Sequence, residues 1–495
     1  MRLPLLAAVH LSRRGSGDGN LRFASRPVTL DEPEFQCPDY SSWASRHHEP
    51  ASTGRFKLPY QRPVPACRTF NLSEVEETIS SMKMVVKDPD LFRLFENCFP
   101  NTLDTAISWK GKATRAEYNT TDEELQSYKS LLKPNSSSSS LASLFRGAIN
   151  LQARYISVSP SGGDIVWPTP DPSVFECKYE LDSLAGFLQL SHEYYAGTGD
   201  VAFFGRSSLS SSTWSDALDA VLNTTAMMLA GTYADDGVVS ISPYSFQRTT
   251  STSTETLANG GAGSPVKSGT GLVRSAFRPS DDACTYQLFI PANMMLSRYL
   301  GLCANIVEKL GDWSKADQIR MFSDRIRAGI EKYGRVNHRL FGKIYAYEVD
   351  GYGSHSVMDD ANIPSLLSAP MFGYLDRNDA IYLNTRRFVL SKENPYYMFG
   401  PVINSTGGPH VGPGMAWPMS LIVQILTTDD DAEIVACLKQ LVSSTDGMGL
   451  IHESISTQVA AVWTRQWFSW ANGLFGQMML DLRQRKPHLL ELSYQ

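Results

Sequence analysis

Apolar residues recur at intervals of three and four along most of this chain, in segments of helical length, and that spacing limits the fold to helix on helix. The clearest segment is 314–334, where Ala316, Ile319, Phe322, Ile326 and Ile330 share a face. Ser314 stands at the expected N-cap there and Gly334 supplies a stop. The same spacing predicts helices at about 120–133, 139–157, 180–196, 213–231, 284–310, 361–370, 378–390, 414–427, 430–444 and 467–485. Another begins near Asn71, where Ser73 can cap an acidic first turn. Long connectors rich in turn formers intervene, notably 160–172 and 233–280, and loops of that length in a compact domain are functional or disordered. Helices in series with long loops suit a toroid of hairpins whose loops build a cleft at one end. An α-solenoid is the rival architecture, but it would show self-similarity at a fixed period, which the chain lacks.

Residues 1–60 read as a leader and an irregular arm rich in Ser, Pro, Arg and His, and 61–495 as one large domain. A composition 42% hydrophobic and 11% aromatic is ample for a core. The 51 acidic against 45 basic side chains leave a formal charge of −6 and exclude a nucleic-acid partner, which needs a concentrated basic surface. No run approaches ~18 uninterrupted apolar residues, so no membrane span is expected. The seven cysteines form no C-x-x-C pair and imply no zinc site or redox motif. Cys37 and Cys67 bracket the arm and are the only pairing expected, whereas Cys303 and Cys437 sit in apolar helical runs that suit buried thiols. The N-terminus carries a short apolar run over 3–9 without a clean cleavage site, and its arginines also fit an organelle transit peptide. Five N-x-[ST] sequons, at Asn71, Asn119, Asn135, Asn223 and Asn404, favour the secretory route and a glycoprotein.

Two loop motifs carry the chemistry. Phe-Arg-Pro-Ser-Asp-Asp occupies 277–282, and Gly-Leu-Ile-His-Glu-Ser occupies 449–454. Hydrolysis of a glycosidic bond needs one carboxylic acid to protonate the departing oxygen and a second carboxylate as base or nucleophile. Asp281 or Asp282 could be the first and Glu453 the second. The alternative for the aspartates is an N-cap of a helix beginning at Ala283. Asp281 and Asp282 lie side by side, and a neighbouring carboxylate raises an acid's pKa, whereas Arg278 opposes that or binds hydroxyls. Glu180 and Asp182 start a helix and could reach substrate, with Glu176 sharing the face of Glu180. Glu348, Asp350, Asp359 and Asp360 form a further acidic group, with Asp359 and Asp360 opening another helix; it has no EF-hand order, so sugar binding or capping is expected rather than metal. His410, His452 and Arg465 are further candidates for sugar hydroxyls, with Trp467 and Trp470 as lining or core.

These motifs, with Phe-Glu-Cys-Lys-Tyr-Glu-Leu-Asp-Ser at 175–183, Ile-Tyr-Ala-Tyr-Glu-Val-Asp-Gly at 344–351 and Met-Asp-Asp-Ala-Asn-Ile-Pro-Ser at 358–365, resemble glycoside hydrolase family 125. Gly-Gly-Pro-His at 407–410, Gly-Met-Ala-Trp-Pro at 414–418 and Trp-Thr-Arg-Gln-Trp-Phe at 463–468 continue the likeness to its fungal branch of exo-acting α-1,6-mannosidases. The resemblance spans about 37–490. It implies an all-α (α/α)6 toroid, metal-independent hydrolysis with no cofactor, inversion at the anomeric carbon, and a mannose-containing oligosaccharide from mannan or N-glycans as partner. It assigns the general acid to Asp281 or Asp282 and the base to Glu453. One block departs. Family members carry a segment resembling Thr-Gly-Asp-Ile-x-Ala-Met-Trp-Leu-Arg-Asp-Ser, whose Trp, Arg and Asp help to form the pocket for the terminal mannose. Here Thr-Thr-Asp-Glu-Glu-Leu at 120–125 runs straight into Gln-Ser-Tyr-Lys-Ser-Leu-Leu at 126–132. A second family segment, expected after Ile156, is replaced by Ser-Val-Ser-Pro-Ser-Gly-Gly at 157–163. Lost positioning predicts weak activity. A non-catalytic mannan-binding homologue is the alternative function, and a purely structural helical protein a third. Nothing in the pattern selects an oligomeric state.

Overall fold

A computed structural model describes residues 56–62, 64, 73–99, 141–159, 177–205 and 213–494. The expected 120–133 helix, Glu176 and the Cys37–Cys67 pairing lie outside them, as does the leader.

The described helices are α1 (Ser73–Lys83), α2 (Pro89–Asn97), α3 (Leu141–Val158), α4 (Leu181–Thr198), α5 (Val201–Phe204), α6 (Trp214–Met227), α7 (Ile290–Lys309), α8 (Trp313–Tyr333), α9 (Ala380–Val389), α10 (Pro418–Leu426), α11 (Asp431–Ser443) and α12 (Ser469–Arg485). They sort into two layers by burial. All nine residues of α10 are buried, and α7 is buried over most of its circumference. On α8 only a stripe through Ala316, Ile319, Ser323, Ile326, Gly329 and Ile330 is buried, so that helix stands outside α7. A helix apolar all round belongs inside, and a striped one shields it from water. Helix α7 packs on both α4 and α8, α3 on α4 and α6, and α10 on α11 and α12, while α12 reaches α2. One apolar cluster runs through them from Leu58 to Tyr494.

The inner helices start sharply. Pro89, Pro291 and Pro418 occupy the first turns of α2, α7 and α10, where the missing N–H costs nothing. Two inner helices also share a device that their sequences disguise. Asn293, four residues after the N-cap Phe289, bonds Val273 through both its N–H and its C=O and donates to the Phe289 carbonyl. Asn472, four after the N-cap Phe468, does the same to Ile451 and the Phe468 carbonyl. Each asparagine fastens to its helix the strand-like segment that leads into a catalytic-type loop.

Short antiparallel strands join the loops. β1 (Leu288–Phe289) pairs with β4 (Glu348–Val349), which pairs with β5 (His355–Ser356). β2 (Arg335–His338) pairs with β3 (Gly342–Tyr345), and β6 (Tyr397–Met398) with β7 (Ser405–Thr406). β8 (Met415–Ala416) pairs with β9 (Ile455–Ser456).

Three expectations need correcting. Helix α7 begins at Ile290, not near 284, because the amides of Thr285 and Tyr286 donate to the Glu348 carboxylate, both at 3.0 Å, and Leu288 joins β4. The aspartate pair therefore does not cap a helix. No helix forms over 361–370, where Asp359 accepts from Leu366 N and Leu367 N and Asp360 from Asn362 N. Side chains that capture backbone amides in this way compete with helical bonding. In α8 the cap is Asp312, which accepts from Lys315 N, rather than Ser314. Cys303 and Cys437 are buried and in no disulfide among the described residues, as are Cys98, Cys177 and Cys284.

Candidate active site

The 277–282 loop is held from three sides. Phe277 N donates to the Tyr179 carbonyl at 3.1 Å, and Phe277 forms a parallel bridge with Glu180, just before α4. Arg278 and Asp282 close a tight turn through Arg278 N to Asp282 O at 2.8 Å, with Asp281 N to Arg278 O at 2.9 Å inside it. Below it, the Arg278 guanidinium donates through Nε to Glu348 Oε1 at 2.6 Å and lies over the Tyr347 ring at 5.4 Å. Glu348 is 0% exposed and accepts from Arg278, Thr285 and Tyr286. It is a strut, and it aims the arginine.

The two aspartates part company in this turn. Asp281 has φ +67, a left-handed conformation that is uncommon outside glycine and is found disproportionately at functional sites. That backbone turns its carboxyl toward Glu180, with which it hydrogen-bonds. Burial, then the charges of Asp281 and Asp182, lift the Glu180 carboxyl well above the ordinary range. Burial and the charge of Asp281 also push Asp182 up to about 7, against the pull of its own backbone amide. Asp282 points the other way. It accepts from Ser280 Oγ at 2.8 Å, and His410 Nδ1 lies 3.4 Å from its Oδ2. Burial would raise this carboxyl, but His410, Ser280 and Thr254 outweigh it and hold it below the usual carboxylate range.

His410 ends the Gly-Gly-Pro-His loop, whose glycines are steric requirements. A Cβ on Gly407 would meet the Met415 carbonyl at 2.4 Å, and one on Gly408 would meet the Asp360 carboxylate at 2.7 Å. The loop therefore lies directly on Asp360, and Ala361 N donates to Gly407 O at 2.9 Å. Asp360 accepts from Asn362 through Oδ1, and burial lifts its carboxyl to about 6. Beyond the loop, the Trp417 ring stands 6.2 Å from His410 and 5.9 Å from Phe468.

The β8–β9 pairing brings the second motif to the same floor. Glu453 is 5% exposed, and its Oε1 lies 3.0 Å from Arg465 Nη1, whose guanidinium rests 5.3 Å over Phe468. His452 is fully buried behind it. Its Nδ1 meets the Gln466 carbonyl at 2.8 Å, its ring stacks on Trp463, and burial lowers its pKa, so that the neutral ring is favoured. Asn97, at the end of α2, donates to both Pro59 O and Gly449 O and so anchors the turn before Glu453. Contacts thus run without a break from Asp282 through His410, Trp417, Phe468 and Arg465 to Glu453.

Around that path lie buried polar atoms with no hydrogen-bond partner among the described residues. They are Asp182 Oδ1, Tyr347 OH, Asp360 Oδ2, Thr406 Oγ1, Trp417 Nε1 and His452 Nε2. Buried polar atoms in native proteins are nearly always paired, so a cluster of mixed donors and acceptors suits a ligand that both gives and takes hydrogen bonds. Among the described residues no group of three or more His, Cys, Asp or Glu side chains could hold a metal ion.

Comparison with known proteins decides the family. The profile described as metal-independent alpha-mannosidase (GH125) matches residues 88–163 and 161–480. The chain belongs to glycoside hydrolase family 125. A curated Schizosaccharomyces pombe relative, the meiotically up-regulated gene 157 protein, is 44% identical over 496 aligned residues, covering 93% of this chain and 96% of that one. A family 125 alpha-mannosidase of Streptococcus pneumoniae, solved in a non-productive complex with alpha-1,6-mannobiose, superposes with a TM-score of 0.68 at 31% identity. It covers 83% of this chain and 98% of its own. The layered helices are accordingly those of the (α/α)6 toroid, and the chain is a glycoside hydrolase of the α-mannosidase type.

Of the residues singled out in this mannosidase's sequence, Glu180, Asp182, Arg278, Asp281, Asp282, Asp360, His410, Glu453 and Arg465 are linked through the contacts above. Asp359 is not free to meet a sugar, because both carboxylate oxygens accept backbone amides, Leu366 N at 2.8 Å and Leu367 N at 3.0 Å. Asp350 likewise accepts from the amides of Tyr352, Gly353 and Ser354. The acidic group seen in the sequence thus resolves into three backbone acceptors, Glu348, Asp350 and Asp359, and one pocket acid, Asp360. Sequence reasoning missed Tyr347, Thr406 and Trp417. Tyr347 and Trp417 lay inside blocks already noted, beside Glu348 and Pro418, and Thr406 just ahead of the one that starts at Gly407.

Proposed function

We propose that this mannosidase is exo-acting and removes a non-reducing terminal α-1,6-linked mannose from mannan or N-glycans with inversion. Asp281 is the general acid and Glu453 the base. The carrying observation is the contrast between the two carboxyl environments. Asp281 lies against the Glu180 carboxyl, which burial and the charges of Asp281 and Asp182 hold well above the ordinary range, whereas Glu453 is ion-paired with Arg465. Environments that separate two carboxyls in this way divide acid from base. Asp281 gives its proton to the glycosidic oxygen as the bond to the anomeric carbon breaks. Glu453 takes a proton from the water whose oxygen attacks that carbon on the opposite face. Asp360, Tyr347, Thr406, Trp417 and the Asp282–His410 pair offer hydroxyl partners on the floor.

The test uses α-1,6-mannobiose. Asp281→Asn and Glu453→Gln should each lower kcat by about 10²–10⁴-fold with the fold retained, as expected for loss of general acid or base catalysis. NMR of the first-formed product should show β-mannose. A wild-type rate in either variant, or α-mannose first, would overturn the assignment. The missing Thr-Gly-Asp-Ile-type block favours a second reading, a mannan-binding protein with little turnover; heat on mixing with mannobiose but no released mannose would select it. The sequons support passage through the secretory route, and Asn223 is exposed on α6. A mobility shift after endoglycosidase treatment would test that.

A further inference from the structure

The turn that leads to Glu453 is built from residues that leave a backbone free to move. Asp446 at φ +47, Gly447 at φ +70 and Gly449 at φ +67 are all left-handed, and two of them are glycines. Met448 N donates to Thr445 O at 2.8 Å, and Trp463 Nε1 donates to the Asp446 side chain at 3.2 Å. The carbonyls of Met448 and Gly449 are held from the other end of the chain. Asn97, the last residue of α2, is fully buried and divides its amide between two segments. Nδ2 donates to Gly449 O at 2.8 Å and to Pro59 O at 2.9 Å, and Oδ1 accepts from Gln61 N at 2.9 Å. Gln61 Nε2 then donates to Met448 O at 3.0 Å. The fit is close, because a Cβ on Gly449 would stand 3.0 Å from Asn97 Nδ2 and 3.1 Å from Leu58 Cβ.

The arm segment that Asn97 meets is itself fastened to α2. Asp90, in the first turn, accepts from Lys57 N at 2.7 Å and Leu58 N at 2.9 Å. The Arg93 guanidinium lies 3.8 Å over the Phe56 ring and 5.1 Å over that of Tyr60, and Arg62 pairs with Glu76 of α1 at 2.7 Å. On the other side of Leu450, Asn472 of α12 takes both the N–H and the C=O of Ile451. Two buried asparagines thus grip one strand-like segment at alternate residues, and Glu453 follows two positions later.

We infer that Asn97 is a positioning residue for Glu453, and that the arm segment 57–61 is the brace against which it works. The N-terminal arm, through one side-chain amide, sets where the base carboxylate stands. The inference rests on the reading of Glu453 as the base. Asn97 touches no reacting atom. A base must reach the attacking water while that water faces the anomeric carbon, and a displacement of about 1 Å caused from a distance can cost on the order of 10²-fold. The sugar partners Asp360, His410 and Trp417 hang from other segments, so a loosened Asn97 should spare binding.

The test uses the full chain and α-1,6-mannobiose. Asn97→Asp keeps the size of the side chain and the bond from Gln61 N but turns an acceptor toward two carbonyls. Its kcat should fall about 10–100-fold with KM within about twofold of the wild type. Asp90→Ala, which loosens the arm without touching the turn, should lower kcat in the same sense. Asp88→Ala is the comparison, because Asp88 caps the same helix through Leu91 N and holds Tyr494 N, each at 2.8 Å. It should lower the thermal midpoint and leave kcat unchanged. In a Glu453→Gln background, Asn97→Asp should lower kcat no further, since both changes act through one carboxylate. Hydrogen exchange read by mass spectrometry should quicken over 449–454 in Asn97→Asp and not in Asp88→Ala. A fall in kcat shared by Asp88→Ala, a rise in KM alone, or additive losses of kcat in the double variant would make Asn97 merely structural and overturn the inference. A wild-type kcat in Asp90→Ala would overturn the part given to the arm. If Glu453→Gln abolishes turnover while Asn97→Asp keeps the wild-type kcat, the inference fails and the base assignment stands. If Glu453→Gln works at the wild-type rate, or the wild-type chain releases no mannose, the base assignment itself fails.

Discussion

Glu348→Gln changes one atom in a fully buried strut, and its cost can be worked out from the bonds. Glu348 only accepts: Oε1 takes Arg278 Nε at 2.6 Å, and Oε2 takes the amides of Thr285 and Tyr286, both at 3.0 Å. A glutamine has one acceptor end and one donor end. Turned one way, its NH2 faces the guanidinium; turned the other, it faces two N–H groups. Either orientation sets donor against donor, and both leave Arg278, itself buried, without its counter-charge. Breaking a buried ion pair in this way costs about 3–5 kcal/mol. Urea unfolding at pH 7 followed by far-UV circular dichroism should show the midpoint falling by that equivalent with the slope unchanged. The double variant Glu348→Gln with Arg278→Met should recover part of the loss, because the stranded guanidinium is gone. The damage should also reach the active site, since Asp281 N donates to the Arg278 carbonyl in the turn above. A Glu348→Gln protein within about 1 kcal/mol of the wild type would refute the strut, and with it the account of how the 277–282 loop is held.

Other perturbations separate structural from ligand-facing groups. Gly408→Ala places a methyl 2.7 Å from the Asp360 carboxylate and should destabilise by about 1–3 kcal/mol, the usual cost of overpacking, while lowering kcat/KM; an unchanged thermal midpoint would show that the loop yields freely. Trp417→Phe deletes an N–H that has no partner among the described residues, so stability should hold while mannobiose affinity falls about 5–20-fold; a marked fall in midpoint instead would mean that the N–H serves the fold. The thiols of Cys98, Cys177, Cys284, Cys303 and Cys437 should stay unlabelled by a thiol reagent in the native protein and react in denaturant, read site by site by peptide mass spectrometry. Inserting the missing Thr-Gly-Asp-Ile-type block ahead of 126–132 should raise mannobiose turnover; a wild-type chain already as active as the restored one would end the idea that the block matters.

The helices were legible because their signal is local. The stripe of Ala316, Ile319, Ile326 and Ile330 lies within one segment, and its period alone places α8 against a neighbour. Expected and observed helices agree closely at 141–158, 181–198, 380–389, 431–443 and 469–485 for the same reason. Errors gathered where a side chain from elsewhere captures the backbone. The run before α7 has helical spacing, but Glu348, about sixty positions downstream, takes its amides. Over 361–370 the capture is nearer, by Asp359 and Asp360 just upstream. The paired Phe–Asn anchors of α7 and α12 escaped a search for repeats because two residues in five, set in different surroundings, make no periodic pattern.

The sequence alone determined that this chain is a ring-forming array of amphipathic helices and, through its motif blocks, which loops hold carboxylates of a mannosidase. Tertiary structure alone decided the duties of the individual acids: Asp281 beside a second carboxyl, Asp282 held by a histidine, Glu348 and Asp359 bound to backbone, Glu453 paired with Arg465. Apolar periodicity is a property of neighbours along the chain, whereas the behaviour of a carboxyl is set by whichever groups the fold brings to within hydrogen-bonding distance.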